Sequence, residues 1–203
     1  MRNKSLTRAA LTVVAILTLS ACGNGMDMSD SDMAGMDDSS PSSTSSSDAA
    51  ADFNDADVAF ATNMIPHHKQ ALEMAELAET RAKSQKVKDL AAQIKNAQGP
   101  EIETMTGWLT AWGQPIPEDM SGMDMSGSMP GMMTMDEMQD LENASGAEFD
   151  QMFLTMMIKH HQGAIAMART EQTDGTNEAA IQLAEKIEEA QTSEIATIKD
   201  LLN

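Results

Sequence analysis

From residue 53 to the C-terminus, apolar side chains recur every three or four positions with polar residues between them. That is the period of α-helices burying one face. A first helix is predicted over residues 54–83, with Phe60, Met64, His67, Ala71, Met74 and Ala78 on one stripe. A second, over 85–112, turns Leu90, Ile94, Ala97, Glu101, Met105 and Trp108 inward. Pro100 interrupts it, at a cost of up to ~3 kcal/mol in a helix interior unless a kink accommodates it. A third helix opens at Ser145, where Glu148 three residues on suggests a capping box, and ends near residue 173. The Thr-Asp-Gly-Thr turn at 173–176 leads into a fourth, which runs to the C-terminus. Thr134 and Glu137 carry the same capping signal for a short extra helix. Four striped helices with short connections inside each pair predict an all-α fold, a four-helix bundle.

The two helix pairs repeat one another. ATNMIPHHKQALEMA (61–75) aligns with LTMMIKHHQGAIAMA (154–168), so Asp57, Phe60, Met64, His67, His68 and Met74 fall on Asp150, Phe153, Met157, His160, His161 and Met167. The same offset of 93 places Leu90 on Leu183, Ile94 on Ile187, Gln98 on Gln191 and Glu101 on Glu194, with no gap. The domain at 53–203 therefore reads as two tandem helical hairpins, 53–112 and 146–203, joined by a long bridge, 113–145. Pro66, opposite Lys159, departs from the repeat. It is expected to bend the first helix and make the two halves unequal. Asp57 and Asp150 read as first-turn residues favouring the helix dipole.

A hairpin sets residues equidistant from its turn at the same height, because both helices rise about 1.5 Å per residue. His67 and Glu101 are centred on residue 84, and His160 and Glu194 on residue 177, both at expected turns. Each histidine pair should therefore face the Gln and Glu of its partner helix: Gln98 and Glu101, or Gln191 and Glu194. These lie on or beside an apolar stripe, where an unpaired charge is costly, so the glutamates are expected to find a cation. A lone core histidine is usually a packing residue. Here all four histidines of the chain form two adjacent pairs at equivalent positions, which favours a metal site, since imidazole is the commonest transition-metal ligand. Neighbours on a helix diverge by about 100°. His67 and His160 are therefore expected inward, with Met64 and Met157 one turn earlier. His68 and His161 are expected at the flank or supporting the ligands. Met74, Met105 and Met167 read first as core filler. Met74, Met167, Gln98 and Gln191 are secondary ligand candidates.

Di-iron bundles combine a Glu from each of two helices with Glu-x-x-His from each of the other two. Glu101 and Glu194 match the first part, but the second reads Met-x-x-His at 64–67 and 157–160. Thioether with imidazole favours Cu(I) and tolerates Cu(II), whereas iron oxidation requires the carboxylates. The bridge points the same way. It holds Met120, Met123, Met125, Met129, Met132, Met133, Met135 and Met138 in a Gly/Ser/Asp background, where exposed thioethers are expected to wrap a soft ion. The competing readings are a greasy linker lying over the bundle, for Met132–Met138, or oxidant scavenging.

Composition then excludes whole classes. Aromatics make up 3% of the 203 residues and tyrosine is absent, against a β-sandwich or barrel. A formal charge of −19 disfavours nucleic acid and anionic membrane surfaces as partners. One cysteine excludes an internal disulfide and a Cys-based zinc cage. The outlier is methionine, 20 of 203 residues. Residues 1–21 place Arg2, Lys4 and Arg8 before an apolar run at 9–19, too short to span a bilayer and typical of a secretory leader. Leu19-Ser20-Ala21-Cys22 resembles a bacterial lipobox, in which Cys22 is lipidated and becomes the new N-terminus. Loss of the leader takes the charge from −19 to −22. Residues 22–52 read as a flexible Met/Ser/Asp-rich stalk.

NMIPHHKQALEMA, FDQMFLTMMIKHHQGAIAMA, the two AQxxEI segments and the Met-rich bridge resemble domain-of-unknown-function family 305 over residues 53–203. The resemblance implies a ferritin-like bundle, export, and copper binding or tolerance. Carried over by position, it implicates Met64, His67, His68, Met157, His160 and His161. The leading expectation is an extracytoplasmic lipoprotein that binds copper for sequestration or transfer, with another copper-handling exported protein as a candidate partner. The alternatives are a metal-dependent oxidase and an interaction module whose histidines only hydrogen-bond. No nucleophile–base arrangement or phosphate loop is present.

Overall fold

The computed structural model describes residues 52–117 and 129–203. The leader, Cys22, the stalk up to residue 51, and Met120, Met123 and Met125 lie outside the described residues. Four long helices make up the domain: α1 (Asp55–Arg81), α2 (Gln85–Ala111), α4 (Gly146–Asp174) and α5 (Glu178–Leu202). A short α3 (Met135–Asn143) lies in the bridge. It starts at the expected capping box: Thr134 Oγ1 accepts from the Glu137 N–H at 3.0 Å and Glu137 Oε2 from the Thr134 N–H at 2.7 Å. The expected box at Ser145 does not form. The chain enters α4 through Gly146 at φ +69°, in the left-handed region that favours glycine, and Ser145 makes no side-chain cap there. Pro66 and Pro100 both lie inside continuous helices.

The hairpins α1/α2 and α4/α5 pack through α1 against α4. Two apolar clusters result. One joins the C-terminal half of α1 and the N-terminal halves of α2 and α4, including Met74, Ile94, Phe149, Phe153 and Met157. The other joins the opposite ends, with Phe60, Met64, Met105, Leu109, Ala168 and Ile187. Their composition shows that α1 and α4 run antiparallel. The α2 stripe buries Leu90, Ile94 and Met105 as expected, but Ala97 is exposed and Gln98 is buried instead. All six stripe residues of α1 are buried as expected.

The repeat appears in space as a reciprocal exchange of caps. Asp57 on α1 accepts from the backbone N–H groups of Thr176 and Asn177 in the α4–α5 turn. Asp150 on α4 accepts from Lys83 and Ser84 in the α1–α2 turn, at 3.0 and 2.9 Å. These donors are themselves 93 residues apart in sequence. Asp57 lies in the first turn of α1 as expected, so the first-turn reading is corrected for Asp150 alone. Asp150 lies beyond the first turn of α4, and both carboxylates satisfy helix-start N–H groups of the opposite hairpin.

Candidate metal centre

Between the apolar clusters lies a layer of polar side chains. His67, His68, His160 and His161 are all fully buried, as are Gln98 and Gln191 nearly so. Both members of each pair reach the interior because α1 and α4 each face two neighbours. His68 turns toward α2, and His67 turns across to α4. His161 and His160 do the same toward α5 and α1. A flank position for His68 and His161 is thereby corrected.

His68 Nε2 donates to Glu101 Oε2 at 2.8 Å, and His161 Nε2 to Glu194 Oε2 at 2.6 Å. A carboxylate only accepts, so in the neutral rings the proton sits on Nε2 and the lone pair on Nδ1. His67 Nε2–H donates to the Pro130 carbonyl at 3.1 Å, with the same result. The rings of His67 and His160 lie 3.8 Å apart, centroid to centroid, tilted by 38°. Burial pushes the His67 imidazole down to about 3, helped by the adjacent His68 and opposed by the Pro130 bond. Burial also holds His160 well below its ordinary value, with His67, His161 and His68 adding to the effect. Both therefore stay neutral, the form that ligates metals.

The layer is short of partners. Nδ1 of all four histidines, Nε2 of His160, both amide atoms of Gln98 and Oε1 of Gln191 have no hydrogen-bond partner. Each buried unpaired polar group costs roughly 1–3 kcal/mol, so this concentration calls for an occupant. Lone pairs from four imidazoles suit a transition metal. Among the described residues, however, no three His, Cys, Asp or Glu converge into a ready-made site. Glu101 and Glu194 are each held against a histidine of the layer, His68 and His161.

Met64 and Met157 are fully buried one turn before His67 and His160, in opposite apolar clusters, and wall the layer on either side. Met74 and Met105 are core residues, and Met167 is partly buried against the second cluster. Of the bridge methionines expected to be exposed, Met129, Met132 and Met133 are buried. The greasy-linker alternative describes this part of the bridge. Met138 also packs against the first cluster, whereas Met135 is half exposed.

Sequence reasoning missed how this segment is held. Gln70 Nε2 donates to the Met133 carbonyl at 3.0 Å, and its Oε1 accepts from the Met133 N–H at 2.8 Å. A Cβ on Gly163 would come within 2.0 Å of the Pro130 oxygen. Gln70 and Gly163 are equivalent positions in the repeat, so their mismatch was a usable signal.

The family model for the domain of unknown function DUF305 matches residues 57–202. The chain belongs to this family. Among solved structures, it is similar to a Streptomyces coelicolor member described as a secreted protein, with 35% identity and a TM-score of 0.66 over 72% of this chain and 91% of that one. A Deinococcus radiodurans fragment matches at 32% identity and a TM-score of 0.66, over 73% and 96%. CopM in its Cu(II)-bound form matches at 35% identity and a TM-score of 0.63, over 72% and 95%. CopM has also been solved in a Cu(I)-bound form, at 32% identity and a TM-score of 0.59, over 71% and 94%. A comparison with curated proteins finds no match.

Proposed function

We propose that this chain is an extracytoplasmic copper-binding protein, anchored through Cys22, that sequesters or transfers copper ions at the membrane face. The observation that carries this reading is the set of four buried imidazoles with unpartnered Nδ1 atoms. In three of them a carboxylate or carbonyl fixes the proton on Nε2. His67, His68, His160 and His161 are the ligands, with the thioethers of Met64 and Met157 completing a donor set suited to Cu(I) and tolerant of Cu(II). Gln98 and Gln191 border the ion, while Glu101 and Glu194 orient the rings. Cu(I)- and Cu(II)-bound CopM supports the choice of metal. The leader sequence and the Streptomyces relative described as secreted support the location.

The oxidase alternative is less supported, because both glutamates are hydrogen-bonded to histidines and thioethers stand where di-iron bundles carry carboxylates. Titration with Cu(I) against a chromophoric chelator tests the reading. Affinity of about micromolar or tighter should collapse in the His67→Ala/His160→Ala variant. Unchanged affinity would overturn the bundle site, and steady oxygen consumption with Cu(I) or Fe(II) would favour the oxidase.

A further inference from the structure

The bridge residues Met129–Met133 form a strap across α1 and α4, directly over the histidine layer. On the α4 side, backbone lies on backbone. A Cβ at Gly163 would meet the Pro130 oxygen at 2.0 Å and its carbonyl carbon at 2.5 Å. Gly131, at φ +79°, would similarly meet the Lys159 oxygen at 2.7 Å. On the α1 side, the Gln70 amide holds Met133 by both its N–H and its carbonyl. Between these fixings, the Pro130 carbonyl accepts from His67 Nε2. The repeat supplies one position twice, as an amide that grips the strap and as a glycine that lets it pass.

We propose that this strap is a latch that closes more tightly on a loaded site, through the His67–Pro130 hydrogen bond. The proposal rests on the reading of the histidine layer as a copper site and concerns how its occupancy is controlled. A metal ion drawing on the Nδ1 lone pair makes the opposite Nε2–H a stronger donor, and ligating histidines habitually give that proton to a carbonyl or carboxylate. The Pro130 carbonyl is the acceptor already in place. Loading therefore strengthens a bond from the layer to the strap. By linkage, the closed strap strengthens the hold on the ion by the same factor. Met129 and Met132 are buried on the strap but belong to neither apolar cluster.

Gly163→Ala tests this without removing a donor atom, since the added methyl displaces the strap from a helix that alanine otherwise suits. Gln70→Ala releases the other side and covers the case in which Gly163→Ala fails to fold. The full-length chain and both variants are loaded with Ag(I), a redox-inert stand-in for Cu(I). Two quantities are then followed: release into a chelator, and hydrogen exchange at the Met133 amide. In the unmodified chain, loading should slow Met133 exchange. In the variants, release should accelerate by roughly 5- to 150-fold, the usual range for coupling between sites, and the loading effect on exchange should vanish. Equal release rates in variants whose Met133 amide is shown to be freed would overturn the latch while leaving the copper reading intact. Failure of the unmodified chain to take up Ag(I) or Cu(I) would overturn both.

Discussion

His67 and His160 lie ring against ring in the middle of the bundle, 3.8 Å between centroids. Because they are equivalent residues of the repeat, their contact marks where the pseudo-twofold relating the hairpins crosses the molecule. His68 with Glu101 and His161 with Glu194 lie symmetrically to either side. The histidine layer thus has one shared centre and two matching wings, each with its own carboxylate.

The carboxylates set the tautomer of the wing histidines. In Glu101→Gln and Glu194→Gln, an amide able to donate or accept no longer reserves Nδ1 for the ion. Loss of such an orienting partner typically lowers metal affinity 10- to 100-fold. Competitive Cu(I) titration should show a drop of that order for each variant, and similar drops for the two, since the wings are equivalent. Unaltered affinity with intact helicity would remove the glutamates from the site.

The exchange of caps between hairpins should be unequal in strength. Asp150→Ala removes the acceptor of two N–H groups near the surface, at a cost of about 1–2 kcal/mol. Asp57 is fully buried, and besides its turn contacts it accepts from the Asn54 N–H at 2.7 Å. Asp57→Ala leaves several buried donors without partners and should cost roughly 3 kcal/mol or more. Urea unfolding of the two variants checks the order, and equal losses would contradict it.

That exchange also shows where sequence legibility ends. The spacing of 93 exposed both aspartates, both histidine pairs and both glutamates, because helical period and repeat are local or self-similar signals. It could not show that Asp57 reaches Thr176, a contact made only when α1 docks on α4. The same holds for His68, whose burial depends on α1 facing two helices at once. Met129, Met132 and Met133 were misread because their Gly/Ser/Asp neighbours suggest exposure, while the burying surface comes from elsewhere in the chain. The informative residues were those that broke the repeat. Gly163 opposite Gln70 marks the strap, and Glu171 opposite Ala78 marks a buried carboxyl.

Glu171 is nearly inaccessible. Burial raises its pKa to about 8, and hydrogen bonding to Asp57 with the nearby negative charges of Asp57 and Asp174 adds to this. Burial works to raise Asp57 too, but hydrogen bonds from Glu171 and from the Asn54, Asn177 and Thr176 N–H groups outweigh it, and its pKa is lowered. The folded protein therefore keeps a proton on Glu171 that the unfolded chain releases above its ordinary value of 4.5. Below that value this group imposes no penalty, and from there to about pH 8 stability falls as pH rises. Asp57 contributes stability that is lost only at lower pH, as its carboxylate is protonated. Thermal melts of the unmodified chain should decline across the range from 4.5 to 8, by on the order of a few kcal/mol at 1.36 kcal/mol per unit. Glu171→Gln keeps the shape without the titration and should flatten that decline. A decline of the same size in the variant would assign it to other groups.

Pro100 offers a test of which irregularities the site requires. It is exposed within α2 and follows Gly99, so two poor helix formers stand just before Glu101. The equivalent residues on α5 are Thr192 and Ser193. There the helix continues without a proline, and Glu194 still reaches His161 at 2.6 Å, as Glu101 reaches His68 at 2.8 Å. The proline is therefore not needed to aim the carboxylate. Pro100→Ser restores the N–H that the helix lacks and relieves the ring's crowding against the preceding turn, which is worth up to ~3 kcal/mol. The variant should melt several degrees higher with Cu(I) affinity unchanged. A higher melting temperature accompanied by weaker binding would show instead that α2 must be bent at Pro100 for Glu101 to hold His68 in place.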